Sequence, residues 1–472
     1  MSRTLPFIGR QQELETLERE WREGNGFIVV YGRRRVGKTR LIKRFAENKR
    51  ALYFLASKED EALNRQRFAR DVATFTGNAL LAEARVDDWR TIFQALAQGA
   101  GGEPYLLIID EFPYLASVNP AFPSIMQYVW DEILAGTGAT MVLCGSSVSM
   151  MYDKVLAHKS PLYGRRTAQL RLRPLSFHEV SDAFPEATFD QVMESYALTG
   201  GIPKYLEFMT PGSDIELAIE QNVLSTSGFL YEEPLFLLSE EGRSYGGALS
   251  ILSAVALGNR KTHEIATFLS RKATDLSPYL RQLMELGLLE RQVPFDERYP
   301  ERSKNGLYRV ADNFMRFWFT YVHPFRGELE MGNMRPSKDA MCRTLRSKFV
   351  PFAFEEVSAE AFGELCRAGE VELTPSRIAG YWNRKGSVEL DVCALDAAAP
   401  RAFAGECKYY DRRQVGVAEW RALVEKATQV PSLREREVIF GLFSHTGFSE
   451  ELLGIARADD RLVLVNHNKR VA

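Results

Sequence analysis

Residues Gly32-Arg33-Arg34-Arg35-Val36-Gly37-Lys38-Thr39 constrain this chain more than any other stretch, because the pattern G-x-x-x-x-G-K-T demands a particular surrounding structure. The apolar run Phe27–Tyr31 before them reads as a buried strand. Arg40-Leu41-Ile42-Lys43-Arg44-Phe45 after them places apolar residues at helical spacing. Strand, glycine-bounded loop and helix together cradle phosphate: the glycines let successive backbone N–H groups turn inward, and the helix N-terminus adds partial positive charge. The segment Gly32 to Arg40, with Val36 inside it, is therefore the expected nucleotide-binding loop. Lys38 is expected on the β- and γ-phosphates and Thr39 on Mg²⁺. The side chains of Arg33, Arg34 and Arg35 are expected in solvent, open to a neighbouring subunit or a nucleic acid.

Phe7-Ile8-Gly9-Arg10 precedes a predicted helix with Leu14 and Leu17 on one face. A segment just ahead of a phosphate-loop strand packs near the adenine, which makes Gly9 and Arg10 candidate nucleotide contacts. Ala51–Ala56 reads as a second buried strand. Tyr105-Leu106-Leu107-Ile108-Ile109-Asp110-Glu111 reads as a parallel strand delivering two acids to the edge where open α/β sheets bind ligands. Asp110 suits the Mg²⁺ shell, and Glu111 suits activation of the attacking water. Thr140–Ser147 is another strand, ending in Ser146 and Ser147. A hydroxyl there can sense the γ-phosphate or hold the water, or can cap the next helix, and both readings stand. Arg165 and Arg166 lie on a loop before a predicted fifth strand, Thr167–Leu172, where an arginine can neutralise charge in phosphoryl transfer.

These motifs, with Ile109-Asp110-Glu111-Phe112, Gly145-Ser146-Ser147 and Tyr163-Gly164-Arg165-Arg166, resemble the archaeal-type ATPases of the AAA+/STAND branch of P-loop NTPases. The resemblance implies ATP with Mg²⁺ and a helical lid matched by Thr199–Tyr205, with Pro203 and Lys204 near the nucleotide. It also implies an arginine finger that can act on a neighbour's nucleotide, hence a homo-oligomer.

Beyond residue 240 the pattern changes. Leu249, Ile251, Leu252 and Val255 lie on one helix face; Thr262–Leu269 reads as a second helix opening with a capping residue; Asp275–Leu289 holds a third, stopped at Gly287. Leu288–Val293 and Gly306–Val310 read as strands around a polar loop. Three helices and a hairpin describe a winged helix, in which Arg271, Lys272, Tyr279, Arg281 and Gln282 are candidates for nucleic-acid contact; bracing of other domains is the competing role. The aromatic run around Phe317-Trp318-Phe319 suits packing between domains more than stacking on bases.

A second chemical signal lies near the C-terminus. Ser387–Asp396 and Arg401–Tyr409 read as consecutive strands, with Glu406 and Lys408 on one face and Asp391 able to approach it. Two carboxylates and a lysine suit metal-dependent phosphodiester cleavage, with Asp391 and Glu406 holding Mg²⁺ and Lys408 orienting or deprotonating water. This arrangement resembles the PD-(D/E)XK nucleases, specifically the nuclease-like domain fused to archaeal-type ATPases, with Leu390 where the motif name has proline. That resemblance adds a helix acid, Glu355 or alternatively Glu356, and admits Mn²⁺ in place of Mg²⁺.

Composition sets outer limits. With 472 residues the chain is long enough for several domains, and a net charge of −2 confines any nucleic-acid surface to a local patch. The five cysteines form no C-x-x-C pair and the six histidines no H-x-x-x-H, which points to a reduced, cytoplasmic protein without a zinc site. No apolar run is long enough to span a bilayer. The expected fold class is α/β: a P-loop ATPase core at 1–173, a helical lid at 174–238, a winged helix at 239–330 and a nuclease-like α/β domain at 340–472. The expected function is ATP-controlled binding or Mg²⁺-dependent cleavage of nucleic acid, DNA ahead of RNA. The alternatives are a STAND-like regulatory switch that does not cut, or a transcription regulator reading DNA through the winged helix.

Overall fold

The computed structural model describes residues 5–241 and 245–472. The chain forms two compact units. The first runs to Ala183 and includes Gly201–Glu207; the second comprises Phe184–Gly200 and Phe208–Ala472. The 174–238 stretch expected as a lid is thus shared between them.

The first unit is built on five parallel strands, β1 (Phe27–Tyr31), β2 (Ala51–Leu55), β3 (Tyr105–Asp110), β4 (Ala139–Gly145) and β5 (Ala168–Arg171), in the order β2-β3-β4-β1-β5. Strands β1, β3 and β4 are buried along their whole length, which is why their sequences are unbroken apolar runs. The two-residue period of a strand divides each run between two cores. Phe27, Val29, Tyr105, Leu107, Met141 and Leu143 pack on one face with Phe68, Trp89 and Phe93. Ile28, Val30, Leu106, Ile108, Val142 and Cys144 pack on the other with Leu17, Leu41 and Phe45. Helices Gln11–Glu23 and Lys38–Ala46 cover this second face. Because every strand runs the same way, the segments after β1, β3 and β4 emerge at one edge, with β4 between the other two.

The second unit contains three helices, Tyr245–Ala256, Thr262–Phe268 and Ala273–Glu285, followed by an antiparallel pair, β6 (Leu289–Gln292) and β7 (Leu307–Val310). The middle helix is capped differently from the sequence expectation. Its start is held by Glu264, whose carboxylate accepts from the backbone N–H of Arg260 and Lys261, both at 2.9 Å. The aromatic helix Asn313–Tyr321 is core: Phe314, Phe317, Trp318 and Phe319 are fully buried, so none is available to stack on bases.

A six-stranded mixed sheet completes this unit: β8 (Pro375–Trp382), β9 (Glu389–Asp396), β10 (Arg401–Lys408), β11 (Glu437–Ser444), β12 (Leu462–Asn466) and β13 (Lys469–Arg470), ordered β13-β12-β11-β10-β9-β8. β9 and β10 form the antiparallel pair read from the sequence, while β10, β11 and β12 run parallel. Helix Val350–Arg367 packs on the sheet through Phe362, stacked on Phe403 at 3.8 Å between ring centroids. Leu423 and Ala427 of helix Val417–Thr428 join the cluster that holds Ala402 and Ala404.

Trp318 anchors helix Asn313–Tyr321, since it is fully buried and its indole N–H also donates to the Tyr231 carbonyl at 2.7 Å. Trp318→Ala is expected to cost about 3–5 kcal/mol, read as a lower urea midpoint. Trp318→Phe keeps most of the apolar volume and should lose clearly less; equal losses would show that packing does not set the stability here.

Candidate functional site

The phosphate loop leaves β1 at Gly32, where a Cβ would stand 2.4 Å from the Leu172 carbonyl oxygen, so a side chain has no room. Gly37 has φ 94°, a left-handed value that glycine adopts without strain, and the following helix starts at Lys38. Lys38 is buried, and its ammonium donates to the loop's own carbonyls, Gly32 at 2.8 Å and Arg33 at 2.9 Å. Burial lowers its pKa, and the nearby acids Glu111 and Asp110 act in the opposite sense. An ammonium held by carbonyl dipoles at a helix N-terminus is placed to exchange them for phosphate oxygens.

Asp110 at the end of β3 is buried and gathers three donors. Thr39 donates its hydroxyl to Oδ2 at 3.0 Å, Tyr53 donates to the same oxygen at 2.6 Å, and the Glu111 backbone N–H donates to Oδ1 at 2.9 Å. Burial, then the hydrogen bond to Asp110, raises the Tyr53 pKa, so the phenol stays a donor. Thr39 and Asp110 thus supply a hydroxyl and a carboxylate side by side, the donor chemistry of a Mg²⁺ site. Tyr53 was not a sequence candidate. Its place on β2, beside β3, was the only available signal.

Glu111 adopts a left-handed backbone, φ 55°, and its Oε2 accepts from the Ser146 hydroxyl at 2.8 Å and the Ser146 N–H at 3.3 Å. Ser146 therefore holds Glu111 and does not cap a helix; Ser147 occupies the N-cap position of Val148–Met151. Lys38, Thr39, Glu111, Ser146 and Pro203 line one open cleft of about 880 Å³, together with Arg34, Arg35 and Arg40. The loop arginines depart from expectation: Arg33, Arg34 and Arg35 are half-buried, and Arg34 donates to the Tyr114 hydroxyl at 2.8 Å. Lys204, at the cleft rim, pairs with Glu207 at 2.6 Å.

Beside this cleft a much smaller cavity, about 20 Å³, is lined by Ile8, Arg10, Val36, Gly37 and Pro203. Arg10 is a strut. Its guanidinium donates to the Val36 carbonyl at 3.1 Å and to the Arg173 carbonyl, and its backbone N–H donates to Glu179 at 3.0 Å. Gly9 lets that carboxylate in: φ is 60°, and a Cβ would lie 2.1 Å from Glu179 Oε1.

The loop arginines after β4 are not brought to the cleft. Arg165 spends its guanidinium on Asp131, at 2.7–3.0 Å, and on the Pro161 and Tyr163 carbonyls. Arg166 stands over the Tyr163 ring, 5.7 Å from its centroid.

In the second unit the C-terminal candidates do converge. β10 pairs with β9 so that Gly405 faces Val392, and one step further Glu406 comes opposite Asp391. Asp391 Oδ2 accepts from the Cys407 N–H at 2.7 Å. Burial raises the pKa of both Asp391 and Glu355. The repulsion of Glu406 adds to this for Asp391, and that of Asp391 and Glu389 for Glu355. Glu356 is engaged elsewhere, paired with Arg309 at 2.5 Å. Glu406 is clamped: Lys408 binds one oxygen and Lys426 the other, both at 2.5 Å. Lys426 and Glu389 were not sequence candidates. The period-2 position of Glu389 before Asp391 could have flagged it; Lys426, on a later helix, had no such signal. Among the described residues no three His, Cys, Asp or Glu side chains are placed to hold one metal ion.

A parallel sheet with a phosphate loop after β1, and acids held at the same edge, defines a P-loop ATPase. Residues 7–209 match the model of an ATPase domain predominantly from Archaea, and residues 318–421 match a model described as archaeal and bacterial proteins of unknown function. The uncharacterized protein MJECL04 of Methanocaldococcus jannaschii is 34% identical over 427 residues, spanning 90% of this chain and 92% of that one. The chain belongs to the family of that protein. A shorter protein of the same organism, described as ATP-binding, is 60% identical over 45 residues, 9% of this chain and 76% of its own. The Walker-type ATPase PABY2304 of Pyrococcus abyssi shares the fold at 19% identity, TM-score 0.52, covering 68% of this chain and 98% of its own.

Two substitutions probe the geometry at Glu111. Glu111→Gln is expected to keep ATP binding and to lower hydrolysis by about 10²–10⁴-fold. Ser146→Ala, which removes the hydroxyl that holds Glu111, should lower kcat with nucleotide affinity nearly unchanged. Steady-state hydrolysis and equilibrium nucleotide binding measured together decide this; wild-type turnover in Glu111→Gln removes that carboxylate from the reaction.

Proposed function

We propose that this ATPase couples its nucleotide state to the action of the second unit on nucleic acid, DNA ahead of RNA, with phosphodiester cleavage as the chemistry of that unit. The observation that carries the reading is the approach of three mutually repelling carboxylates, Glu355 from helix Val350–Arg367 and Asp391 and Glu406 from paired strands, with Lys408 bound to the buried Glu406. Carboxylates that raise one another's pKa beside a lysine gather at functional sites. The reading makes the mixed sheet with helix Val350–Arg367 a nuclease-like domain, and the three helices with β6 and β7 a winged helix. The exposed Arg271, Lys272 and Arg281 are then the nucleic-acid contacts.

In the first unit, Lys38 holds the β- and γ-phosphates, Glu111 takes the proton of the attacking water, and Ser146 fixes the Glu111 carboxylate. Thr39 and Asp110 hold the Mg²⁺ that accompanies ATP. Arg165 acts as a finger only after releasing Asp131, and Arg166 is the less encumbered of the two.

At the carboxylate cluster the donor chemistry suits Mg²⁺ or Mn²⁺, since hard carboxylate oxygens are their usual ligands. A bound divalent ion would neutralise the acids and polarise water; Lys408 and Lys426 do the neutralising in the present arrangement. That lysine clamp on Glu406 favours a second reading, in which the domain binds nucleic acid without cutting and the protein is a STAND-like switch.

Labelled linear, circular and single-stranded DNA, with ATP and Mg²⁺ or Mn²⁺ varied independently, separates the two. Cleavage is expected to need the metal and to disappear in Asp391→Ala, Glu406→Ala and Lys408→Ala, while ATP hydrolysis persists in all three. Mg²⁺ should also raise the Tm of the wild type more than that of Asp391→Ala. Metal-independent binding without any cut product gives the answer to the switch.

A further inference from the structure

One cavity in the second unit belongs to neither site. It opens between the end of helix Tyr245–Ala256, strand β7, helix Asn313–Tyr321 and the segment from Lys348 to Phe352, with a volume of about 380 Å³. Val255, Leu257, Val310 and Phe352 give it apolar walls. Arg260, Arg309, Arg316 and Lys348 also line it, and among the described residues no carboxylate does.

Three of these cations gather on one ring. The guanidinium carbons of Arg316, Arg309 and Arg260 lie 4.2, 5.6 and 5.9 Å from the Phe352 centroid. Arg309 is neutralised by Glu290 at 2.9 Å and Glu356 at 2.5 Å. Among the described residues the other two have no ion pair. Arg316 is 8% exposed, and its one side-chain hydrogen bond goes from Nη2 to the Phe349 carbonyl at 3.2 Å. Arg260 donates from Nη2 to the Gln292 side chain at 3.1 Å. In both, Nε is buried without an acceptor. Burial pushes the Arg316 pKa down to about 10, with the charges of Glu356 and Glu355 acting in the opposite sense. Aromatic rings hold a guanidinium through its face but do not neutralise it. Glu389, Glu355 and Glu264 act on Arg260 from a distance, and Glu356 and Glu355 on Arg316, but none makes a direct ion pair; two desolvated guanidinium groups with buried, unbonded Nε atoms beside one cavity mark a place for an anion.

We propose that this cavity binds a small organic anion, a carboxylate or phosphate monoester on an apolar body of about ring size. The anionic group pairs with Arg260 and Arg316, and the body lies against Val255, Leu257 and Phe352. A nucleic-acid strand fits less well, because the cations sit inside apolar walls and not along an exposed stripe. The anion is held by residues outside the carboxylate cluster, although Arg260 also feels the charges of Glu355 and Glu389.

Phenylphosphate titrated into the full chain with EDTA present, followed by calorimetry, tests it. The expected result is saturable binding to one site, weakened about tenfold or more in Arg260→Gln by loss of a charge-assisted hydrogen bond. Binding should be lost in Arg316→Gln and unchanged in Lys38→Ala, which separates the cavity from the phosphate loop. Neutral benzyl alcohol should not bind. If Arg316→Gln fails to fold by circular dichroism, Arg260→Gln alone decides. Absence of saturable binding at millimolar phenylphosphate would overturn the proposal, as would wild-type affinity in Arg260→Gln or loss of binding in Lys38→Ala. Displacement of phenylphosphate by a short DNA oligonucleotide would assign the cavity to nucleic acid instead.

Discussion

The carboxylate of Asp110 ties the ATP site together. It accepts from the helix that follows the phosphate loop through Thr39, from β2 through Tyr53 and from its own chain through the Glu111 N–H. Three elements that approach the sheet edge from different directions are thereby fixed to one buried anion. Charge-assisted hydrogen bonds are about twice as strong as neutral ones, so the arrangement is held stiffly before any nucleotide arrives. The left-handed turn at Glu111 follows from this, since the backbone must bend sharply for the Glu111 N–H to reach back to Asp110. That bend leaves the Glu111 side chain where Ser146, at the end of the intervening strand, can hold it.

Much of this was legible in the sequence because buried parallel strands announce themselves as apolar runs and the phosphate loop has a fixed grammar. Both signals are local. What escaped reading depends on pairs distant along the chain. Arg165 looks like a finger on its own loop, and nothing nearby shows that Asp131 will take its guanidinium. The loop arginines look solvated until Tyr114 is folded against Arg34. Thr262 looks like a cap, yet the capping is done by Glu264 from inside the helix, an alternative the pattern allows equally well. The aromatic run at Phe317–Phe319 was legible as packing, and its complete burial goes with two hydrogen bonds of that helix, from the Trp318 indole to the Tyr231 carbonyl and from the Met315 N–H to the Asp312 carboxylate.

The second unit shows how charge is managed in two adjoining places by opposite means. On the sheet, acids outnumber their partners and two lysines converge on Glu406 alone. Around Phe352 three arginines gather, and among the described residues Arg309 is the one of them with direct ion pairs. Glu355 and Glu356, adjacent on one helix, divide between them: the first faces Asp391, the second Arg309. A one-residue shift along that helix would exchange their surroundings, so the ambiguity between them could be resolved only by the fold.

The contact between Gly9 and Glu179 bears on how the protein can be handled. Glu179 follows β5 by eight residues and closes on the backbone before the first helix, while Arg10 reaches from that backbone to the Val36 carbonyl inside the phosphate loop. The chain ahead of the first helix is thus built into the floor under the loop. A shortened version beginning at Gln11 would look complete by its helices and strands, yet it would lack the brace that sets the height of Val36. Expression boundaries, affinity tags and fusion joints for this protein therefore belong well upstream of Gly9, and a tag that needs a side chain at Gly9 itself has no space to occupy.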